Sequence, residues 1–215
     1  MTDSGGRRKV LVSAGPTREH VDPVRYLSNE SSGRMGFAIA AAAAAAGHEV
    51  LLVAGPVSLP TPEGVTRVDV VSALDMLAAL KDAVADADCL IMAAAVADYR
   101  PAVLHGGKWK AKESDGPVSI ELVENPDILT TLSQEPGERL VIGFALETSD
   151  GERRALDKMA RKGTDYIVLN SAAALNASQT TVTILGRDGS KVVHADQPKE
   201  WVAQRLVELL ERTRA

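Results

Sequence analysis

Gly36-Phe37-Ala38-Ile39-Ala40-Ala41-Ala42-Ala43-Ala44-Ala45-Ala46-Gly47, followed almost at once by Glu49-Val50-Leu51-Leu52-Val53-Ala54, is the stretch that decides the fold. Alanine is the strongest helix former, and Gly47 supplies a typical helix stop. Gly36 to Ala46 therefore reads as a helix whose small side chains let it lie close to a sheet. Glu49 to Ala54 reads as a strand. Upstream, Lys9 to Ala14 is another short buried strand, ending in Gly15-Pro16.

The alternation continues outward. Thr17 to Ser32 is a long polar stretch. Ser72-Ala73-Leu74-Asp75 resembles a capping box and opens a helix to about Ala85. Cys89 to Ala95 reads as a third strand, Tyr99 to Gly116 as a basic, glycine-rich loop, and Ser119 to Val123 as a strand. Asn125-Pro126 suggests an N-cap with proline at the first helical position, for a helix through Leu132. Leu140 to Ala145 and Tyr166 to Asn170 read as strands flanking a helix from Gly151 to Lys162, stopped by Gly163. Thr181 to Leu185 and Lys191 to His194 flank the turn Gly186-Arg187-Asp188-Gly189 as a β-hairpin. Pro198 to Arg212 is an amphipathic helix. Strand–helix alternation predicts parallel βαβ units in an α/β fold: a doubly wound, mostly parallel, Rossmann-like sheet with a small β-hairpin extension.

Composition narrows the class. A chain of 215 residues suits a single domain over residues 1–215, with residues 1–8 expected to be disordered and 99–116 to form a mobile flap. Aromatic residues are 3 % of the total, so the core must come from Ala, Val, Leu and Ile. The lone cysteine, Cys89, sits in an apolar run and reads as a small core residue; it excludes a disulfide framework and fits a reducing, cytoplasmic setting. No apolar run approaches the roughly 20 residues of a membrane span, and Met1 to Arg8 carries no signal-peptide core. The formal net charge of -5 argues against a nucleic-acid partner and requires local basic residues for any polyanionic ligand.

In such sheets ligands sit beyond the carboxyl ends of the strands. The loop Gly15-Pro16-Thr17-Arg18 lacks a G-x-G-x-x-G turn, and Val53-Ala54-Gly55-Pro56 offers no acid for a ribose hydroxyl, so a dehydrogenase is disfavoured. Walker-type phosphate loops are also missing. Ser31-Ser32-Gly33 just before a helix fits an anion site or an ordinary N-cap. Asp98, after Ala93-Ala94-Ala95-Val96-Ala97, fits a ligand-binding acid or a solvated strand exit. Lys108-Trp109-Lys110-Ala111-Lys112 fits a basic flap or a solvated loop. Lys158 and Lys162 share a helix face near a C-terminus, where cations are favoured anyway.

Six segments, in order, carry a resemblance. They are Ser13-Ala14-Gly15-Pro16-Thr17-Arg18-Glu19, Asp22 through Gly36, Ala54-Gly55-Pro56-Val57-Ser58-Leu59-Pro60, Ala94-Ala95-Val96-Ala97-Asp98-Tyr99, Asn125-Pro126-Asp127-Ile128 and Gly143-Phe144-Ala145-Leu146-Glu147-Thr148. Together they resemble the phosphopantothenate–cysteine ligase (phosphopantothenoylcysteine synthetase) family of coenzyme A biosynthesis, in its bacterial, CTP-dependent form. The resemblance implies an enzyme that joins 4′-phosphopantothenate to L-cysteine through an acyl-cytidylate, releasing CMP and pyrophosphate. It implies Mg²⁺ as cofactor, CTP as co-substrate and a homodimer, with the hairpin extension used in dimerisation. It implies Asn29, Lys108 and Arg25 as catalytic residues. Gly15, Ala95, Asp98, Lys108, Pro126, Asp127, Ile128, Leu129, Phe144, Lys158 and Lys162 are the implied nucleotide-binding positions. Asn29, Ser31, Ser32 and Gly33 are the implied substrate-binding positions. No metal ligand is assigned. Many bacterial relatives carry a fused flavin-dependent decarboxylase; with a first strand near Lys9, this chain is expected to lack it, to bind no flavin and to rely on a separate decarboxylase. Intact Asn29, Asp98 and Lys108 weigh against a nucleotide-binding module without catalysis.

Overall fold

The computed structural model describes residues 6–110, 119–147, 150–171 and 179–212. Its centre is β1 (Lys9–Ala14), paired in parallel with β4 (Glu49–Ala54) on one side and β6 (Cys89–Met92) on the other. The parallel set continues outward through β5 (Val65–Asp69) beyond β4, and through β9 (Leu140–Glu147) and β10 (Tyr166–Ser171) beyond β6. An antiparallel hairpin, β11 (Gln179–Gly186) and β12 (Lys191–Pro198), completes an eight-stranded sheet in the order β12-β11-β10-β9-β6-β1-β4-β5. Strand order reverses between β1 and β6, the switch point at which doubly wound sheets bind ligands.

Both faces of the central strands are covered, which is why those strands read as unbroken apolar runs. Val10, Val12 and Ala14 of β1, Val50 and Leu52 of β4 and Cys89 and Ile91 of β6 face one way. There they meet α1 (Arg34–Ala45) and α5 (Lys199–Arg212), through Phe37, Ile39, Ala40, Ala43, Val202 and Leu206. Leu11, Val53, Leu90 and Val141 face the other way, toward α2 (Ala73–Val84) and α3 (Ile128–Ser133). α4 (Gly151–Lys162) packs on β9 and β10 through Ala155 and Met159. Cys89 is fully buried, as expected of a core residue. Among the described residues no helix is long and apolar enough to cross a membrane.

The alanine run has a geometric purpose. A Cβ on Gly36 would stand 2.5 Å from Ala14 Cβ, so α1 approaches β1 more closely than any side chain at that position allows. The capping box on α2 forms as expected: Asp75 N donates to Ser72 Oγ at 3.2 Å, and Ser72 N to the Asp75 carboxylate at 2.9 Å.

Several expectations are corrected. The polar stretch Thr17 to Ser32 contains a hairpin, β2 (Arg18–Asp22) and β3 (Arg25–Ser28). Every β3 side chain is exposed, so no apolar period marks it. β5 is a largely exposed edge strand and is silent for the same reason. The third strand ends at Met92 rather than Ala95, with only a single parallel bridge, Pro16 to Ala95, beyond it. α3 is capped by Asp127, which accepts from Thr130 N, and not by Asn125. The strand expected over 119–123 is β8 (Leu122–Glu124), paired with β7 (Tyr99–Pro101), which lies in the presumed loop. Expectations for residues 1–5 and 111–118 fall outside the described residues.

Two predictions follow from packing and burial. Gly36→Ala forces α1 off β1 and is expected to cost about 1–3 kcal/mol. That lowers the thermal midpoint by roughly 2–10 °C even though alanine is the better helix former, whereas Gly106→Ala, with open space around it, leaves the midpoint unchanged. The second concerns His48, which is buried and accepts from Arg8 N through Nδ1. Burial, aided by the nearby Arg8 charge, holds its pKa below the ordinary histidine value. The unfolded chain therefore takes up a proton near pH 6.5 that the fold refuses, so this contribution is constant above that pH and is lost as pH falls toward the folded pKa. Denaturant unfolding at pH 7.5 and 5.5 should show a smaller acid loss in His48→Asn than in the unsubstituted chain.

Candidate active site

Beyond Met92 the chain continues as mostly irregular backbone, Ala93 to Asp98, tied to the β1 exit by one parallel bridge between Pro16 and Ala95, at the β1–β6 switch point. Backbone polar groups outside regular structure must find partners, and here the β1 exit supplies them. Ala93 N donates to Ser13 O at 3.2 Å and Ala95 N to Gly15 O at 2.9 Å. The fully buried side chains of Ser13 and Thr17 accept from Ala94 N at 3.2 Å and from Ala97 N at 3.0 Å. From the far side, Asn125 Nδ2 donates to Ala97 O at 2.8 Å, and Asn125 N to Asp98 O at 2.7 Å. Asn29 Nδ2 bridges Ala95 O at 3.1 Å and Val96 O at 3.2 Å. Each such bond is worth about 0.5–1.5 kcal/mol net, and together they hold a stretch of small side chains rigidly open to a ligand.

This loop is one wall of a cleft of about 800 Å³. The second wall is the start of α1. Its N-cap, Gly33, is left-handed at φ 75°, and no side chain caps the helix. The ordinary N-cap reading of Ser31 and Ser32 is thus not what the fold shows; Ser31 Oγ only accepts from Gly33 N at 3.4 Å. Uncapped first-turn N–H groups carry the positive end of the helix dipole and favour anions. The third wall is α3, β9 and α4. Lys158 Nζ donates to Phe144 O at 2.6 Å, and Lys162 pairs with Asp127. Burial pushes the Asp127 carboxyl up, but the Lys162 ammonium and the Thr130 bonds outweigh it and hold the group below its usual range.

Asn29, Ser31, Ser32, Gly33, Ala95, Asp98, Pro126, Asp127, Ile128, Leu129, Phe144, Lys158 and Lys162 therefore line one cleft. Three expected positions do not. Gly15 lies beneath it: its carbonyl holds Ala95 N, and at φ 78° a Cβ there would stand 3.1 Å from Val57 and 3.3 Å from Gly55 O. Arg25 is drawn away by the buried Asp22, with which it forms an ion pair, and its guanidinium also donates to Trp109 O at 2.5 Å. Asp22 further accepts from Trp109 N at 3.1 Å, and His105 N donates to Val21 O at 3.0 Å. The base of the expected flap thus docks on the β2–β3 hairpin; the His105 and Trp109 rings lie against each other at 4.6 Å, and Lys108, one residue before Trp109, is exposed. Arg25 holds the Asp22 carboxyl far below the usual range.

The cleft is also lined by Arg34, Asn125, Asn170, Thr180 and Lys199, which sequence reasoning did not single out. Arg34 and Lys199 each open a helix, where a cation opposes the dipole; that contrary placement was the available signal. Asn125 read as a helix cap and as part of a resemblance segment, without a site role of its own. No group of three His, Cys, Asp or Glu side chains converges on a metal position among the described residues. The described residues thus offer no all-protein Mg²⁺ cage in the cleft; Asp98 and Asp127 are among the carboxylates that line it, and Mg²⁺ is commonly held by one or two carboxylates together with ligand phosphates.

Comparison with known proteins agrees with this architecture. Residues 6–213 match the family model described as the DNA/pantothenate metabolism flavoprotein C-terminal domain. The chain is 44 % identical over 205 residues to the coenzyme A biosynthesis bifunctional protein CoaBC of Escherichia coli K12, covering 93 % of this chain and 50 % of that protein. It is 41 % identical over 189 residues to the Bacillus subtilis protein of the same name, covering 86 % and 46 %. The chain thus spans about half the length of these relatives. The crystal structure of the C-terminal domain of a CoaBC protein superimposes with a TM-score of 0.84 at 38 % identity, covering 98 % of this chain and 97 % of that one. A Streptococcus pneumoniae protein titled as a DNA/pantothenate metabolism flavoprotein shares the fold at TM-score 0.81 and 23 % identity, covering 95 % and 98 %. A match running from residue 6 to residue 213, through every strand of the sheet and every wall of the cleft, makes this chain a member of the DNA/pantothenate metabolism flavoprotein C-terminal domain family.

Proposed function

We propose that the chain is a ligase that condenses 4′-phosphopantothenate with L-cysteine in coenzyme A biosynthesis, using CTP through an acyl-cytidylate. The observation that carries this reading is the cleft itself: an uncapped helix N-terminus and the Lys158–Lys162 face converge on a rigid, small-residue loop at the switch point. Two anionic reactants need such an arrangement, since unit charges 4 Å apart repel by roughly 4 kcal/mol at an effective dielectric of 20.

In the first step a carboxylate oxygen of phosphopantothenate attacks the α-phosphorus of CTP. The bond to the bridging oxygen breaks, and pyrophosphate leaves with its electron pair. In the second step the cysteine amine attacks the acyl carbon, the acyl–oxygen bond breaks, CMP leaves, and the nitrogen loses a proton. Asp98 accepts from the ribose hydroxyls, and Phe144 with residues Pro126 to Leu129 shelters base and ribose. Lys158 and Lys162 exchange Phe144 O and Asp127 for phosphate oxygens. Ser31, Ser32 and Gly33 receive an anionic group at the α1 start. Asn29 spends its amide hydrogens on Ala95 and Val96, so stabilising the acyl phosphate means exchanging one carbonyl for the intermediate. Lys108 and Arg25 join the second step only through movement of the segment docked on Asp22. The name of a solved relative, a Cab2 mutant in complex with phosphopantothenate-cysteine, states that product for a protein of the same fold.

A homodimer belongs to this reading. Exposed apolar side chains on β12, Val192 and Val193, support an interface on the hairpin; Tyr26, Tyr99 and Leu122 mark a second candidate face. A phosphopantothenoylcysteine decarboxylase consumes the product.

Pyrophosphate release is expected from CTP only with phosphopantothenate present, and at least about tenfold faster than from ATP. Release without the acid, or a preference for ATP, contradicts the assignment. Asn29→Asp places a carboxylate against two carbonyl oxygens and removes the donor. Loss of one preorganised donor typically costs about 10²–10³ in turnover, so kcat should fall by that order while CTP affinity stays within about threefold. A variant with unimpaired kcat removes Asn29 from the chemistry.

A further inference from the structure

Where α1, β11 and α5 meet, the cleft wall holds a cation that the fold does not explain. Lys199 is the first residue of α5 and is 8 % exposed, yet lysine is among the residues least often buried without a partner. A helix N-terminus is the least favourable end for a cation. The carboxylate acting on it is its chain neighbour Glu200, while Arg34, at the first position of α1, opposes it with like charge. No ion pair relieves it among the described residues. Burial and Arg34 together push its pKa below the ordinary lysine value. Beside it Thr180 is 3 % exposed, and its Oγ1 has no hydrogen-bond partner. All three residues line the cleft. Two like charges and an idle hydroxyl, held together at the junction of two helix starts in a chain of net charge -5, are a costly arrangement without an anion between them.

We propose that Lys199, Arg34 and Thr180 form a receptor for a terminal phosphoryl group, the ammonium and guanidinium neutralising its charge and the threonine hydroxyl donating to an oxygen. The proposal rests on the ligase reading only for the identity of the ligand. The same chemistry is offered by the terminal phosphate of a nucleoside triphosphate and by the phosphate monoester of the acyl substrate.

Lys199→Met keeps the stem and removes the charge; Arg34→Gln does the same at an exposed position that should not disturb folding. Two readouts separate binding from structure. First, inorganic phosphate and pyrophosphate should raise the thermal midpoint of the unsubstituted chain and do so much less in either variant. Without anion, Lys199→Met should melt at the same temperature or higher, because a buried unpaired charge is gone. Second, calorimetry with CTP, 4′-phosphopantothenate and unphosphorylated pantothenate identifies the source. Losing a hydrogen bond to a charged group weakens affinity by about 10- to 100-fold. A loss confined to CTP assigns the receptor to the nucleotide; one confined to phosphopantothenate and absent with pantothenate assigns it to the monoester. If the unsubstituted chain binds neither reactant yet keeps a Lys199-dependent response to phosphate, the ligase reading fails and the receptor stands. Unchanged affinities and anion response in both variants overturn the receptor, as does a Lys199→Met chain whose only change is a lower melting temperature.

Discussion

Everything at the site depends on how the backbone from Ala93 to Asp98 is held. A strand that simply ended at Met92 would release six residues into solvent. Instead the buried hydroxyls of Ser13 and Thr17, from the neighbouring strand exit, accept the Ala94 and Ala97 amides, and Asn29 and Asn125 donate to the Ala95, Val96 and Ala97 carbonyls. Polar side chains from three separate segments thus reinforce what remains of the ladder there, the single parallel bridge between Pro16 and Ala95. Because the loop's own side chains are small, the satisfied backbone itself forms the cleft wall. The wall's partners are equally fixed: Gly36 lets α1 close on β1, and that closeness sets where the uncapped α1 start opens.

The same logic links the cleft to its surroundings. Asp22 is buried and accepts from Val24 N, Arg25 and Trp109 N. It ties the β2–β3 hairpin to the segment bearing Lys108, while Asn29, one residue past β3, reaches the loop. Glu19 of β2, also buried, accepts from Ala73 N at the start of α2. The hairpin is therefore a strap between flap base, cleft and sheet.

The sheet was legible because burial on both faces writes strands as unbroken apolar runs and because Ala-rich helices punctuated by glycine are unambiguous. The hairpin β2–β3 and the edge strand β5 were not, since exposed strands carry no apolar signature. At the site, Ser31 to Gly33, Asp98 and Phe144 were offered by strand ends and a helix start, whereas Asp127, Lys158 and Lys162 were carried by the resemblance alone; all of them share the cleft. What could not be read is set by contacts distant in sequence. Arg25 looked available until Asp22 claimed it, Lys108 until Trp109 was docked, and Asn125 looked like a cap until it proved to brace a loop 28 residues away. Lys199 reaches the cleft only because α5 returns to pack on α1.

Residue-resolved amide hydrogen exchange tests the central claim directly. If the loop is braced as described, the Ala94, Ala95 and Ala97 amides, although beyond the end of β6, exchange as slowly as amides within it. Replacing Thr17 by Val should then release Ala97 in particular. Exchange of all three at the rate of the open Gly106–Gly107 backbone would show that the wall is not preorganised, and the account of the cleft built on it would be wrong.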